Sequence, residues 1–589
     1  MTAAAPAPAP SSDAIADWSP NFGYLASAFK DWSSGRPVRV AVLGHFGASA
    51  AQGRVLTGDA LAQAARPAAV EFDSVDALLA RLAPRLHLPL GPNGGTIDIA
   101  FRTLDDFHPD ALFDRLEVFS ALAGVRQRLL SPATFADAAA QLMQEPTQAT
   151  APVGMPRMAT QAGTASSGLT LPSDARLSDF ARLVGGPALP APGPASPIDA
   201  LLRHVVAPHV QPATDPRRDD LVASVDASLA DLMRSVLHHP QFQALESLWR
   251  GLDFLLRRVE TSADLSVHLL DVPVLSFAAD LVASDDLTGT GLYQLLVDQP
   301  AEQADGGYTL VLACYQFAVT PPHVELLGRI AGIAQRAGAV FVSSIQAQAF
   351  AAAPGGPDAL HPLTAHAWQT LRGLSAADHL ALAAPRFMLR YPYGQRSDPI
   401  TRFAFEEFSE REGLRALLWG HPAWLLACLL AGPEASRAQA DVAAIVDDLP
   451  FHFAVDQHGD QVALPCTDLL LDTDATTRLA TQGLVPVVGR RGLPQVQLAP
   501  LQSVAGQRLL GRPSAPRGSR DEVFSASANR QRGWSAVLEM ELSSLLTPRT
   551  TQGGVSPLRD PGLDALINGE SAAGPPQGRT APSGGREDR

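Results

Sequence analysis

The residues with the most obvious chemical potential are histidines, cysteines and carboxylates, and their spacing offers little to catalysis. His238 and His239 are adjacent. Neighbouring residues on a helix point about 100° apart and chelate one ion poorly. A helix C-terminal dipole role is the expectation for this pair. His204 and His209 stand alone and read as solvated. Asp468, Asp472 and Asp474 could be taken for a cation site, but no fourth or fifth oxygen ligand accompanies them, and a solvated loop is the better reading. Cys314 and His323 could form a thiol–imidazole pair, yet Cys314 lies inside an apolar run, where a thiol is inert packing.

Gly44, Gly47 and Gly53 follow an apolar run in GHFGASAAQG, which has neither the Lys-Ser/Thr of a phosphate loop nor the GxGxxG spacing. No GxSxG elbow supplies a serine nucleophile. The expectation is a protein that is not an enzyme, with no catalytic residue, no metal and no cofactor. In LWRGL, Trp249 reads as a core tryptophan. Arg250 keeps two readings, a local ion pair or cap and a partner-binding joint between subunits.

Composition bounds the rest. The chain has 589 residues, 46% of them apolar and 18% charged, with a formal net charge of −15 and a pI near 5.4. An acidic chain with no Lys/Arg-rich block is poorly suited to phosphate backbones, which argues against nucleic acid. Lys30 is the only lysine. Cys314, Cys428 and Cys466 are sparse and odd in number, as a reducing compartment tolerates. The N-terminus lacks a secretory pattern and no stretch reaches the roughly 18 apolar residues of a membrane span, so the expectation is a cytoplasmic protein without membrane insertion.

The elements that would position these residues fall into blocks. Residues 1–35 combine an Ala-Pro tract with an aromatic segment (Trp18, Phe22, Tyr24, Phe29, Trp32), the second part able to dock on something. Residues 36–145 form a first folded block. VRVAVLGHF (38–46) reads as a strand buried on both faces. DSVDALLARLAPRL (73–86) reads as a helix, TIDIAF (96–101) as a half-buried strand after Asn93-Gly94-Gly95, and 108–130 as one long amphipathic helix with Pro109 in its first turn. Residues 146–197 form an Ala/Pro/Gly linker containing one short helical candidate (173–186).

The second block divides into 198–395 and 396–546. IDALLRHVV (198–206), 219–239 and the run through Phe242, Leu245, Trp249, Leu252 and Leu256 carry helical stripes, the last two joined by His-Pro. DLSVHLLDV (264–272), YTLVLACYQF (308–317) and AVFVSS (339–344) read as strands. A helix between the last two makes a parallel βαβ unit. Residues 547–589 are Gly, Pro, Ser and charge, the composition of a disordered tail. The expected class is α/β with α+β elements: mixed sheets flanked by helices in two blocks joined by a flexible linker.

Several of these strings resemble a known family. TLDDFHPDALFDRL (103–116), with PRLHLPL and GGTIDIAF before it, is similar to the small contractile sheath subunit of type VI secretion (TssB/VipA-like). LHHPQFQALESLWRGLDFLL (237–256), the stretch 308–344, LAAPRFMLRYPYG (382–394), FAFEE (403–407), LWGHPAWLLACLLA (418–431) and TQGLVPVV (481–488) resemble the large subunit (TssC/VipB-like), in that family's order. The resemblance implies a fusion of both subunits in one chain, packed as an intramolecular sheath heterodimer of sheath-type domains. It implies type VI sheath or baseplate proteins as partners, with an AAA+ unfoldase as a further partner that recycles the assembly. In that family a short helix ahead of the large-subunit block is read by the unfoldase, which would make Leu201, Leu202, Val205 and Val206 partner-binding anchors. The alternative is that this stripe packs on its own domain.

The chain also departs from the pattern. In the family, the ends of both subunits supply strands that insert into neighbours. Here an Ala-Pro tract precedes the first block, and the likeness fades after about 505, leaving a possible remnant helix (530–546) and low-complexity sequence. ACYQF (313–317) is neutral where relatives tend to be acidic. The expectation is an accessory component, cap or baseplate-side adaptor that does not propagate a tube by itself. Two alternatives stay open: a genuine sheath subunit co-assembling with separate sheath proteins, and an α/β enzyme with an unrecognised active site.

Overall fold

The computed structural model describes residues 19–25, 37–47, 55–90, 95–131, 134–143, 218–302, 306–351, 360–409, 412–432, 444–455 and 460–511. The expected linker 146–197, the stretch bearing Leu201, Leu202, Val205 and Val206, and the tail 547–589 lie outside these residues.

The strands are β1 (Val38–Gly44), β2 (Ala68–Val70), β3 (Arg85–Leu90), β4 (Gly95–Ala100), β5 (Leu265–Asp271), β6 (Leu310–Phe317), β7 (Val340–Ile345), β8 (Leu380–Ala384), β9 (Phe387–Met388), β10 (Trp419–Gly420), β11 (Ala444–Val446), β12 (Phe453–Val455), β13 (Gln461–Ala463), β14 (Val485–Gly489) and β15 (Val496–Leu498). Nine share one sheet in the order β11-β15-β14-β8-β7-β6-β1-β5-β2. The six from β14 to β5 run parallel to their neighbours, while β2, β15 and β11 pair antiparallel. This is the expected α/β class: a mixed sheet with helices on both faces.

The sheet explains its own sequence. β1 is apolar throughout because both faces are covered. Val40 and Val42 point into one core, with the helices at 75–82, 117–130, 218–237, 240–258 and 423–431, while Ala41 and Leu43 point into the other, with those at 274–282, 321–337 and 362–372. The β6–helix–β7 unit forms as its spacing requires, with Pro321 and Pro322 opening the helix Pro321–Ala337 and Gly338 at φ 64 closing it.

Two helix readings are corrected. The stretch 73–86 is α-helical only over Val75–Leu82, after a 3-10 turn at Phe72–Ser74; Ala83 turns left-handed at φ 44, Pro84 follows, and β3 begins at Arg85 to pair with β4. The single helix expected over 108–130 is two, Pro109–Arg115 and Glu117–Leu130, broken where Leu116 becomes extended. The break lets Leu112 and Phe119 both enter the core.

His239 is also corrected: its Nδ1 accepts the Gln241 N–H and caps the helix that Pro240 opens. The same hydrogen bond recurs at every His-Pro in the chain, as a helix cap at His108 and His361. His108 accepts from Asp110 N–H, His361 from Leu363 N–H and His421 from Ala423 N–H. Proline's fixed φ suits the first helical position, and the preceding imidazole satisfies one of the exposed N–H groups of the first turn.

Close packing of the large helices rests on one glycine. A Cβ at Gly251 would lie 2.1 Å from Trp424 Nε1, and Trp424 is wholly buried. Gly251→Ala is therefore expected to cost about 1–3 kcal/mol through overpacking, read as a lowered denaturant midpoint.

Candidate functional site

The most connected part of the molecule lies where β1 and the residues after it meet the chain beyond residue 218. β1, from the first block, hydrogen-bonds β5 along Val38–Gly44 on one side and β6 along Val40–Leu43 on the other. Around it, side chains join the same two stretches of chain. Trp249 Nε1 donates to the Phe46 carbonyl at 3.2 Å, and the two rings meet edge-to-face at 5.3 Å. Phe101 and Phe107 stack, and both present edges to Phe242. Asp280, fully buried, accepts N–H bonds from Gly58, Gly291 and Leu292. Burial pushes its carboxyl up against the pull of those donors.

Polar pairs continue the seam on the outside. Asp110 accepts from the N–H groups of Thr401 and Arg402 and from the Thr401 hydroxyl, and Arg402 pairs with Asp114. Arg126 pairs with Asp226.

Beside the seam lies a buried charge cluster. Arg390 is its centre: Nε and Nη2 donate to Glu246 at 2.8 and 3.3 Å, and Nη1 and Nη2 donate to Glu407 at 2.7 and 2.9 Å. Its guanidinium also lies 4.1 Å from the centre of the Tyr393 ring. Arg250 donates from Nε to Glu246 and from Nη2 to the Tyr393 hydroxyl. His238 sits between two carboxylates, 3.7 Å from Glu407 and 3.0 Å from Glu412. Three cations (Arg250, Arg390, His238) thus face three anions (Glu246, Glu407, Glu412), so the charge balances inside the fold.

The electrostatics follow from that geometry. Burial opposes ionisation of Glu407, but Arg390 and His238 overcome it and hold the carboxyl at about 2. Burial likewise opposes charging of His238, and the two carboxylates overcome it and raise the imidazole to about 9. Burial pushes the Tyr393 hydroxyl to about 12. Every charge is spent on a partner, which suits a joint and leaves no poised nucleophile or base.

A pH dependence follows with a definite sign. A histidine raised from 6.5 to about 9 stabilises the fold fully below 6.5 and loses that contribution as pH rises through 9. The loss is expected to reach about 3 kcal/mol. Chemical denaturation between pH 7 and 10 would show it, and His238→Gln should flatten that slope.

The other sequence candidates fall outside this cluster. Asp472 caps the helix Thr473–Thr481 through the Ala475 N–H, and Asp468 pairs with Arg386. Burial pushes the Cys314 thiol up, and His323 Nδ1 accepts the Ala318 N–H. Among the described residues no His/Cys/Asp/Glu group could hold a metal ion, and no helix is long and apolar enough to cross a membrane. The cluster itself escaped the sequence reading, which singled out only Arg250 and, in another role, His238. The signal available was the charge in LHHPQ, PRFMLRYPYG and FAFEE, strings otherwise apolar or aromatic.

Comparison with known proteins bears on the same strings. Residues 219–505 match the family described as VipB: EvpB/VC_A0108, tail sheath N-terminal domain. The Type VI secretion system sheath protein TssC1 of Pseudomonas aeruginosa PAO1 is 27% identical over 291 residues, covering 46% of this chain and 58% of that protein. The chain thus matches somewhat over half the length of this curated relative. Residues 219–505 are thus similar to the sheath large-subunit (VipB/TssC-like) domain that this family and this relative describe. The match takes in all members of the charge cluster and leaves residues 36–145 outside it.

Proposed function

We propose that this protein is a structural component of a type VI secretion apparatus in which one chain supplies the counterparts of both sheath subunits. The observation that carries the reading is the position of β1: a strand from the block resembling the small subunit lies inside the sheet of the domain similar to the sheath large subunit. Covalent linkage fixes a one-to-one ratio and raises the effective concentration of each block for the other. The protein acts as a cytoplasmic assembly part, without enzymatic activity, cofactor or nucleic-acid partner. Its partners are type VI sheath or baseplate proteins.

Within that role we favour an accessory component, a cap or baseplate-side adaptor, over a self-propagating sheath subunit. Among the described residues the nine-stranded sheet ends at β11 on one side and at β2 on the other, and an edge as short as the three-residue β2 is a poor template for strand addition. For the stripe Leu201, Leu202, Val205 and Val206, the resemblance to the sheath family implies an AAA+ unfoldase contact, and packing on its own domain is the alternative. Arg250 makes its bonds to Glu246 and Tyr393 within the chain, so its part in a joint is to brace the surface that partners meet.

Electron microscopy of the purified protein, alone and mixed with separate small and large sheath subunits, tests the reading. Discrete particles alone, and capped or shortened tubes in the mixture, are expected. Long tubes from the protein alone would make it an ordinary sheath subunit. No association with sheath or baseplate proteins would remove the secretion role.

A further inference from the structure

Residues 19–25 lie against a surface more than 260 residues away in sequence, and their contacts are those of a bound peptide. Tyr24 forms a parallel bridge with Asp286: its N–H donates to the Asp285 carbonyl at 2.8 Å, and its carbonyl accepts from Leu287 N–H at 2.9 Å. Asn21 donates from its N–H to Glu325 and from Nδ2 to Asp285, while its carbonyl accepts from Arg329 Nε. Its own Oδ1 takes the Gly23 N–H. Gly23 has φ +69, and a Cβ there would lie 2.9 Å from the Asp285 carbonyl, so this position requires glycine.

The anchor is Phe22, 8% exposed, set into a notch that exists because residue 328 of the long helix is glycine. A Cβ on Gly328 would lie 1.9 Å from Phe22 Cδ1. Backbone pairing for affinity with one side-chain notch for selectivity is how an extended peptide is recognised.

The receiving surface is organised without the segment. Arg329, nearly buried, donates from Nη1 to the Leu281 and Ser284 carbonyls and from Nη2 to Asp285, leaving Nε for the Asn21 carbonyl. The segment buries only Pro20 and Phe22, with Leu25 partly covered beside them, a contact small enough to place its release well below global unfolding. We infer that the groove between the 321–337 helix and residues 284–287 is a peptide-docking site. Residues 19–25 occupy it in cis, and it takes extended peptides of the Asn-Phe-Gly-Tyr type. This stands apart from the sheath reading and survives its failure.

The test uses the full chain and a fluorescently labelled peptide of residues 19–25. Phe22→Ala should empty the groove, and this variant should bind the peptide about tenfold or more tightly than the wild type, whose own segment competes at high effective concentration. Adding Gly328→Leu to Phe22→Ala should abolish binding by filling the notch. In the wild type, hydrogen exchange at the Tyr24 and Leu287 amides should be faster than within the 321–337 helix. A folded Phe22→Ala chain that fails to bind, or binds no better than wild type, would overturn the proposal. So would binding indifferent to Gly328→Leu. Self-association of the wild type that Phe22→Ala abolishes would place the segment on a second copy and overturn cis occupancy.

Discussion

Arg390→Ala is expected to destabilise the fold by about 3–5 kcal/mol, because it takes the shared cation from two buried carboxylates at once. Glu246 and Glu407 are both essentially inaccessible, and Arg390 supplies four of the donated bonds that compensate their burial. Glu407 would keep His238 as a cation and the Tyr393 N–H as a donor, and Glu246 would keep Arg250, so each carboxylate retains one cation and loses its two-bond partner. Arg390→Lys should recover only part of the loss, since an ammonium cannot span two carboxylates as the guanidinium fork does. Denaturant titration of the purified variants measures both. A midpoint unchanged in Arg390→Ala would show that the cluster does not hold the 387–407 segment on the helices.

Trp249→Ala is expected to cost a similar amount, about 3–5 kcal/mol, for a different reason. The side chain is wholly buried, and it reaches across the seam to the Phe46 carbonyl and ring. Its removal leaves a cavity between β1's exit and the 240–258 helix and orphans a buried carbonyl. Trp249→Phe should retain most of the packing and lose the hydrogen bond, so it should fall between the two. Equal stability of all three proteins would mean that the first block contributes nothing at this contact.

Much of this architecture was legible in the sequence because it is local. The β6–helix–β7 unit announces itself through an apolar strand, a Pro-Pro helix start and a second apolar strand. The helices 218–237 and 240–258 declare their stripes and their His-Pro junction. What the sequence withheld is non-local. The run VRVAVLG says that β1 is buried on both faces, but nothing in it says that its neighbours are residues 265–271 and 310–317. Strand pairing at that separation leaves no local mark.

The charge cluster was hidden in the same way. Glu246 and Arg250 are a plain i, i+4 pair on a helix, and Glu407 ends an aromatic string. Only the fold carries Arg390 between them. His238 was read from its own helix, whereas its charge is set by Glu407 and Glu412. Leu116, where the helix breaks, has no proline or glycine to give warning.

The account stands on the claim that the two blocks form one interlocked body. The direct test is to insert a site-specific protease sequence between residues 165 and 166, cleave the folded protein and run it on a sizing column without denaturant. The account predicts that both fragments elute together as one species and separate only in denaturant, because β1 cannot leave without opening the sheet on both sides. Two fragments that separate under native conditions, each still folded, would contradict it.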